Sequence, residues 1–168
     1  MERSSITYIG NSFLAWGYST IIFSLSVYTC LRLTTNELYY CLYAGIPILA
    51  NAVIRLCQKD KKKSDIEVLI DKIWGLFGVL TLFMCIVRYY YAIPLFAFIS
   101  FLMGIETIIT GGIMKYYMIS MLGFIGVLGA ALLLQLSGYE QNLVISTVFL
   151  FIAVIPGYLI NYSHKNNK

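Results

Sequence analysis

An all-α polytopic membrane fold, six transmembrane helices with both termini in the cytoplasm, is what the 168-residue sequence predicts. Three observations lead there. Apolar residues make up 60% of the chain and charged residues 12%, against about 25% charged in ordinary soluble domains, so the polar residues needed to coat a globule in water are missing. Six apolar runs of about 20 residues, the length that crosses a bilayer as helix, consume almost the whole sequence and leave no room for a second domain. Of the twelve Lys and Arg residues, only Arg32 and Arg88 fall in connections on one side of these runs, and the other ten fall on the opposite side. Basic residues near span ends resist translocation, so the rich side is cytoplasmic and the membrane is the cell (plasma) membrane.

The first span covers residues 13–31, with a polar helical lead-in from Ile6, and its apolar run is longer than a signal-peptide core and lacks a clear small-x-small cleavage site. Ser5, Ser12, Ser19 and Ser26 recur every seventh residue, as do Gly10, Gly17 and Ser24. Small residues at that period place a packing seam along one helix face. The second span, 38–56, carries Gly45 and Pro47 near its centre, and a mid-helix Pro removes a backbone hydrogen bond, so a kink is predicted. Asn51 and Arg55 follow at i, i+4 and share a face.

Residues 57–72 read as a cytoplasmic basic loop followed by a short interfacial helix. Lys59, Lys61, Lys62 and Lys63 face anionic lipid headgroups. Ser64 and Glu67 then have the spacing of a capping box, with Ile66, Leu69, Ile70 and Ile73 at helical intervals behind it. Span three, 73–91, ends in Arg88-Tyr89-Tyr90-Tyr91, an interfacial cluster. Pro94 opens span four, 94–110, at a position where a first-turn Pro is tolerated, and Gly111-Gly112 is expected to stop it. Span five, 115–136, carries Gly123, Gly126, Gly129 and Ala130, a groove for a neighbouring helix rather than a nucleotide motif, since no strand precedes it. Span six, 142–160, returns through Pro156-Gly157 to a basic tail. Trp16-Gly17, Trp74-Gly75 and Leu122-Gly123 begin spans one, three and five and suggest three helical hairpins in repeat.

The runs Leu102-Met103-Gly104-Ile105-Glu106-Thr107-Ile108-Ile109-Thr110-Gly111 and Ile155-Pro156-Gly157-Tyr158-Leu159-Ile160-Asn161-Tyr162 resemble those of a group of small, uncharacterised six-span bacterial membrane proteins. Trp16-Gly17 and Asp71-Lys72 match the same pattern. The chain departs from it at Tyr158, where His is expected, and at Glu106, where a small residue is expected. This resemblance implies a whole-chain fold and no activity. In size and three-hairpin layout the chain is also similar, more loosely, to the bacterial acid-resistance membrane protein family.

Function classes narrow quickly. One His and no Cys-x-x-Cys leave no ligand set for a metal and no cofactor motif. Cys30 and Cys41 sit at similar depth beside the first external turn, the one pair placed to bridge, yet all four cysteines read best as small apolar packers. Spans with one carboxylate and no His offer no activated pair, so no enzyme and no catalytic residue is expected. Basic residues at span ends point to lipid, not nucleic acid. Glu106 is the exception to this plainness, an ionisable group about 10 Å inside span four, where charge is costly and often functional. With Thr107, Thr110, Asn51 and Arg55 it makes the candidate polar site, either neutral through burial or paired with Arg55. The expected role is structural, sensory or accessory, with homo-oligomers through the small-residue faces; the alternative is a small proton- or cation-coupled transporter or channel using Glu106.

Overall fold

The computed structural model describes residues 3–34, 36–57, 64–91 and 93–166, all in helices or short connections, with no strand among them. Helix α1 spans Arg3–Leu33; a 3-10 helix, Glu37–Ala44, runs into α2, Gly45–Cys57; α3 is Asp65–Tyr90, α4 Leu95–Ile113 and α5 Tyr117–Gln135. The last span is α6, Gln141–Phe149, a π-helical turn, Leu150–Val154, and α7, Ile155–Asn166. Six of these stretches are long and apolar enough to cross a membrane: Tyr8–Leu33, Leu38–Leu56, Asp65–Val87, Leu95–Ile113, Tyr117–Gln135 and Gly138–Ser163. The chain is therefore an all-α, multi-pass membrane protein.

With an even number of spans, the start of α1 and the end of α7 lie at one end of the bundle, its terminal end. Contacts at that terminal end join the starts of α1 and α3, where Tyr8 donates its hydroxyl to both oxygens of Asp71 at 3.1 and 3.0 Å. They also join α1 to α7, where Asn161 donates to Asn11 at 3.0 Å. Helix α1 is the hub, packed on α2, α3, α6, the π turn and α7, while α4 and α5 form the closest pair. The glycines of the α1 seam pack on span six: a Cβ on Gly17 would lie 3.2 Å from the Val154 nitrogen, and Gly10 abuts Gly157 and Asn161. Ser26 leaves the seam, being exposed and bonded to its own helix at Ile22. The span-five groove is equally real. A Cβ on Gly104 would come within 2.8 Å of the Gly123 carbonyl and the Val127 nitrogen, so α4 and α5 touch backbone to backbone.

At the opposite end, a polar and aromatic cluster fastens span two to spans one, four and six. Tyr43 donates to Asn142 Oδ1 at 2.7 Å and lies 3.1 Å from Ser24 Oγ, and Asn142 in turn donates to the Tyr139 carbonyl. Phe96 meets the rings of Tyr43 and Tyr40 at 5.5 and 6.0 Å. Gln141 donates to the Leu133 and Leu136 carbonyls, satisfying the end of α5 across the turn.

Several sequence expectations change shape. Pro47 does not merely kink span two. Lacking an N–H, it offers nothing to the Tyr43 carbonyl one turn back, and the chain before it winds as the tighter 3-10 helix. The interfacial helix expected before span three is instead the start of α3, which runs unbroken from Asp65. Its capping box is present in both directions, Ser64 N–H to Glu67 Oε2 at 2.7 Å and Glu67 N–H to Ser64 Oγ at 3.4 Å. Glu67 and Ile70 are buried there, while Val68 and Leu69 between them are exposed. Gly111-Gly112 does not stop α4. Gly111 is needed for close approach to Ser120, and the stop falls at Lys115, whose φ of 55° lets Tyr116 N–H reach the Gly111 carbonyl at 2.8 Å. Cys30, Cys41 and Cys85 are free, and the last two are exposed rather than packed inside.

Burial is uneven. The C-terminal two-thirds of α3 presents Leu76, Val79, Leu82, Phe83 and Ile86 outward, and Gly75 has no neighbour a Cβ would meet, unlike Gly17 and Gly123. Hydrocarbon is the solvent these faces fit.

Candidate polar site on α4

Helix α4 turns a line of polar residues inward: Ser100, Glu106, Thr107 and Thr110 are all buried. Three of them have hydrogen bonds that join helices, two to backbone carbonyls and one to an indole. Ser100 donates to the Gly126 carbonyl at 2.8 Å, tying α4 to α5. Thr107 is the most instructive. Pro156 has no N–H for the carbonyl of Ile152, four residues earlier, and the helix is already distorted into a π turn at that point. The Thr107 hydroxyl reaches across from α4 to that carbonyl at 3.1 Å while lying 2.9 Å from its own Met103 carbonyl. Thr110 receives the Trp74 indole N–H at 3.5 Å, a long bond that nonetheless sets α3 against α4. Trp74 is itself held edge-on to Phe13 with centroids 4.9 Å apart and lies 6.4 Å from Trp16.

Glu106 differs. It is 1% exposed, and its Oε1 is buried with no hydrogen-bond partner. Thr110 and Leu102 lie one turn away on the same face. The pairing with Arg55 is not formed: Arg55 is exposed on α2, and α2 makes no contact with α4 among the described residues. Asn51 is exposed as well, its amide turned back to donate to the Pro47 carbonyl at 2.8 Å. Of the five residues assigned to the polar site, the fold thus gathers Glu106, Thr107 and Thr110 and leaves Asn51 and Arg55 apart. The reason is topological, since α2 rests on α1 alone among the six spans' longer helices. Lys59, Lys61, Lys62 and Lys63 lie outside the described residues.

Two participants escaped the sequence reading. Trp74 stood out only as half of a repeated Trp-Gly pair, and its Thr110 partner is 36 residues away. The Ile152 carbonyl was legible in principle, because any Pro inside a helix leaves the carbonyl four residues earlier without its usual donor. No group of three or more metal-ligating side chains occurs among the described residues.

The Thr107 bond gives a measurable expectation. Thr107→Val keeps the shape but orphans the Ile152 carbonyl, which is expected to cost about 1–2 kcal/mol, at the upper end for hydrogen bonds between membrane helices. Thermal unfolding in detergent checks it. In a Pro156→Ala background, where an N–H is restored, the same change is expected to cost less than half as much; equal costs in both backgrounds would show that the proline is irrelevant to the bond.

The chain matches no protein-family model, no curated protein and no solved structure.

Proposed function

We propose that this chain is a six-span protein of the cell membrane, with both termini in the cytoplasm, that acts as a small proton- or cation-coupled transporter or channel through Glu106. The observation that carries the reading is the buried Oε1 of Glu106 without a partner. An ionised carboxylate in a low-dielectric interior is too costly to stand alone, so a proton or a small cation must neutralise it. A group that only joined helices would be expected to be hydrogen-bonded, as Ser100 and Thr107 are. The orientation is supported by the bias of basic residues. Lys59, Lys61, Lys62 and Lys63 would then meet anionic headgroups on the cytoplasmic leaflet.

The test is ion flux in proteoliposomes. The parent is expected to dissipate an imposed proton or sodium gradient, and Glu106→Gln, which preserves shape and a polar head, to reduce that flux to the level of empty vesicles with its fold intact. Flux unchanged by Glu106→Gln overturns the proposal. Labelling of Cys57 by a membrane-impermeant thiol reagent on intact cells would overturn the orientation.

A second reading, a structural, sensory or accessory component with no transport, is favoured by one feature: the hydroxyls flanking Glu106 are spent on backbone carbonyls and an indole. Such a protein would co-purify with a membrane or cytoplasmic partner and show no flux.

A further inference from the structure

Glu106 sits about seven residues, or about 10 Å, from the terminal end of α4 and about eleven, or about 16 Å, from the other. The two approaches differ in chemistry as well as in length. Toward the terminal end, Thr110 follows one turn on, then the Trp74 indole that donates to it, then Asp71 one turn earlier on α3, whose carboxylate holds the Tyr8 hydroxyl at the bundle's mouth. Polar atoms recur along the route, and one aromatic ring interrupts it. Toward the other end, the side of α4 in line with Glu106 offers Met103, Leu102, Ile99 and Phe96, all apolar, and the buried Ser100 hydroxyl beside them is given to the Gly126 carbonyl. Phe96 is buried against Tyr40 and Tyr43, and the Tyr43 hydroxyl is taken up by Asn142.

The charged groups around Glu106 follow the same asymmetry. Helices α5 and α6 and the π turn contain no Asp, Glu, Lys, Arg or His along their lengths. Helix α3, the remaining neighbour of α4, brings Asp71 and Lys72 at its terminal end, with Glu67 and Asp65 beyond them, and its distant Arg88 at the other.

We propose that in this conformation Glu106 exchanges its proton with the terminal side of the bundle, through Asp71, Trp74 and Thr110, with Trp74 as the barrier and the Phe96 cluster as a seal on the opposite side that must open in a second conformation for flux to occur. A proton moves along such a route by passing between water and side-chain oxygens without a wide channel, whereas a hydrated cation would need one. Trp74 is a positioning residue here: Phe13 packs on its ring and Thr110 on its N–H, so the ring's departure opens the path. This rests on the reading of Glu106 as a protonatable site, and it narrows that reading from proton or cation to proton, loaded from one side.

The experiment is infrared spectroscopy of the full-length protein in detergent, following the protonated-carboxyl band after transfer into heavy water. Glu106→Gln identifies the band by removing it. Trp74→Ala is expected to speed hydrogen–deuterium exchange of that band at least about tenfold, corresponding to a 1.4 kcal/mol easier opening. Trp74→Phe, which keeps a ring against Phe13 and is the safer variant for folding, is expected to speed it by a smaller factor through loss of the bond to Thr110. Phe96→Ala is expected to leave the rate within about twofold, since apolar layers remain below it. Acceleration by Phe96→Ala equal to or above that of the Trp74 variants, or none by any folded Trp74 variant, overturns the one-sided route. Absence at every pH of a band that Glu106→Gln removes overturns instead the underlying proton-site reading, so the two failures are distinct.

Discussion

Gly104→Val is expected to destabilise the protein by more than about 3 kcal/mol, above the usual cost of overpacking, because nothing near the new side chain can yield. Its Cβ would meet the Gly123 carbonyl and the Val127 nitrogen at 2.8 Å and the Gly126 carbonyl carbon at 3.0 Å, all backbone. Flexible neighbours could swing aside; a helix axis cannot without surrendering contacts along its length. In lipid that surrender is not offset by a hydrophobic drive to reassociate, since helix pairs are held there by close packing and hydrogen bonds. The Ser100 bond to Gly126 would lengthen with it. Gly78→Val provides the contrast, because nothing beyond its own stretch of helix lies within 4 Å of its Cβ position and a substitution there is expected to change stability by less than about 0.5 kcal/mol. Thermal unfolding of both variants in detergent, followed by circular dichroism, measures the difference; similar midpoints would mean that the α4–α5 contact is not the core of the fold.

That core was partly legible in the sequence. Gly123, Gly126 and Gly129 announce a helix face that admits a close neighbour, and the fold places one there. The partner's identity was not legible, since apolar runs carry no address, Gly104 has only larger residues beside it and Gly111 reads as a helix stop. The same holds at span six. Pro156-Gly157 signals a break, but only the tertiary arrangement shows that Gly157 makes room for α1 while Pro156 leaves a carbonyl for Thr107. Local rules set the helix ends well where the cap is a short-range motif, as at Ser64 and Glu67. They misjudged Gly111, because a glycine needed for packing and a glycine needed to end a helix look alike until the neighbour is known.

The candidate site divides along the same line. Glu106 is conspicuous because a carboxylate in an apolar run is expensive wherever it faces, and burial followed from that cost alone. Its companions depended on which spans touch. Arg55 had the right charge and a plausible depth, yet α2 packs away from α4, so a pairing drawn from chemistry without topology failed. Trp74 took the place beside Thr110 through an indole N–H, a donor that apolar patterning does not reveal.

Glu106→Leu separates what this carboxylate does for the fold from what it does for function. Leucine is close in size and has no polar atom to leave unpaired, and replacing an unsatisfied buried polar group by an apolar one of similar shape is neutral or stabilising, here expected at about 1–3 kcal/mol in favour of the variant. Flux in proteoliposomes is expected to fall to background in the same variant, since no group remains to take up a proton. A gain in stability joined to a loss of activity is the signature of a group retained for function against the interest of the fold. Loss of stability would place Glu106 in an unseen structural bond and return the chain to the accessory reading. A Glu106→Leu protein as stable and as active as the parent would leave no role for the side chain at all, and detergent melting curves measured beside flux rates on one preparation distinguish the three outcomes.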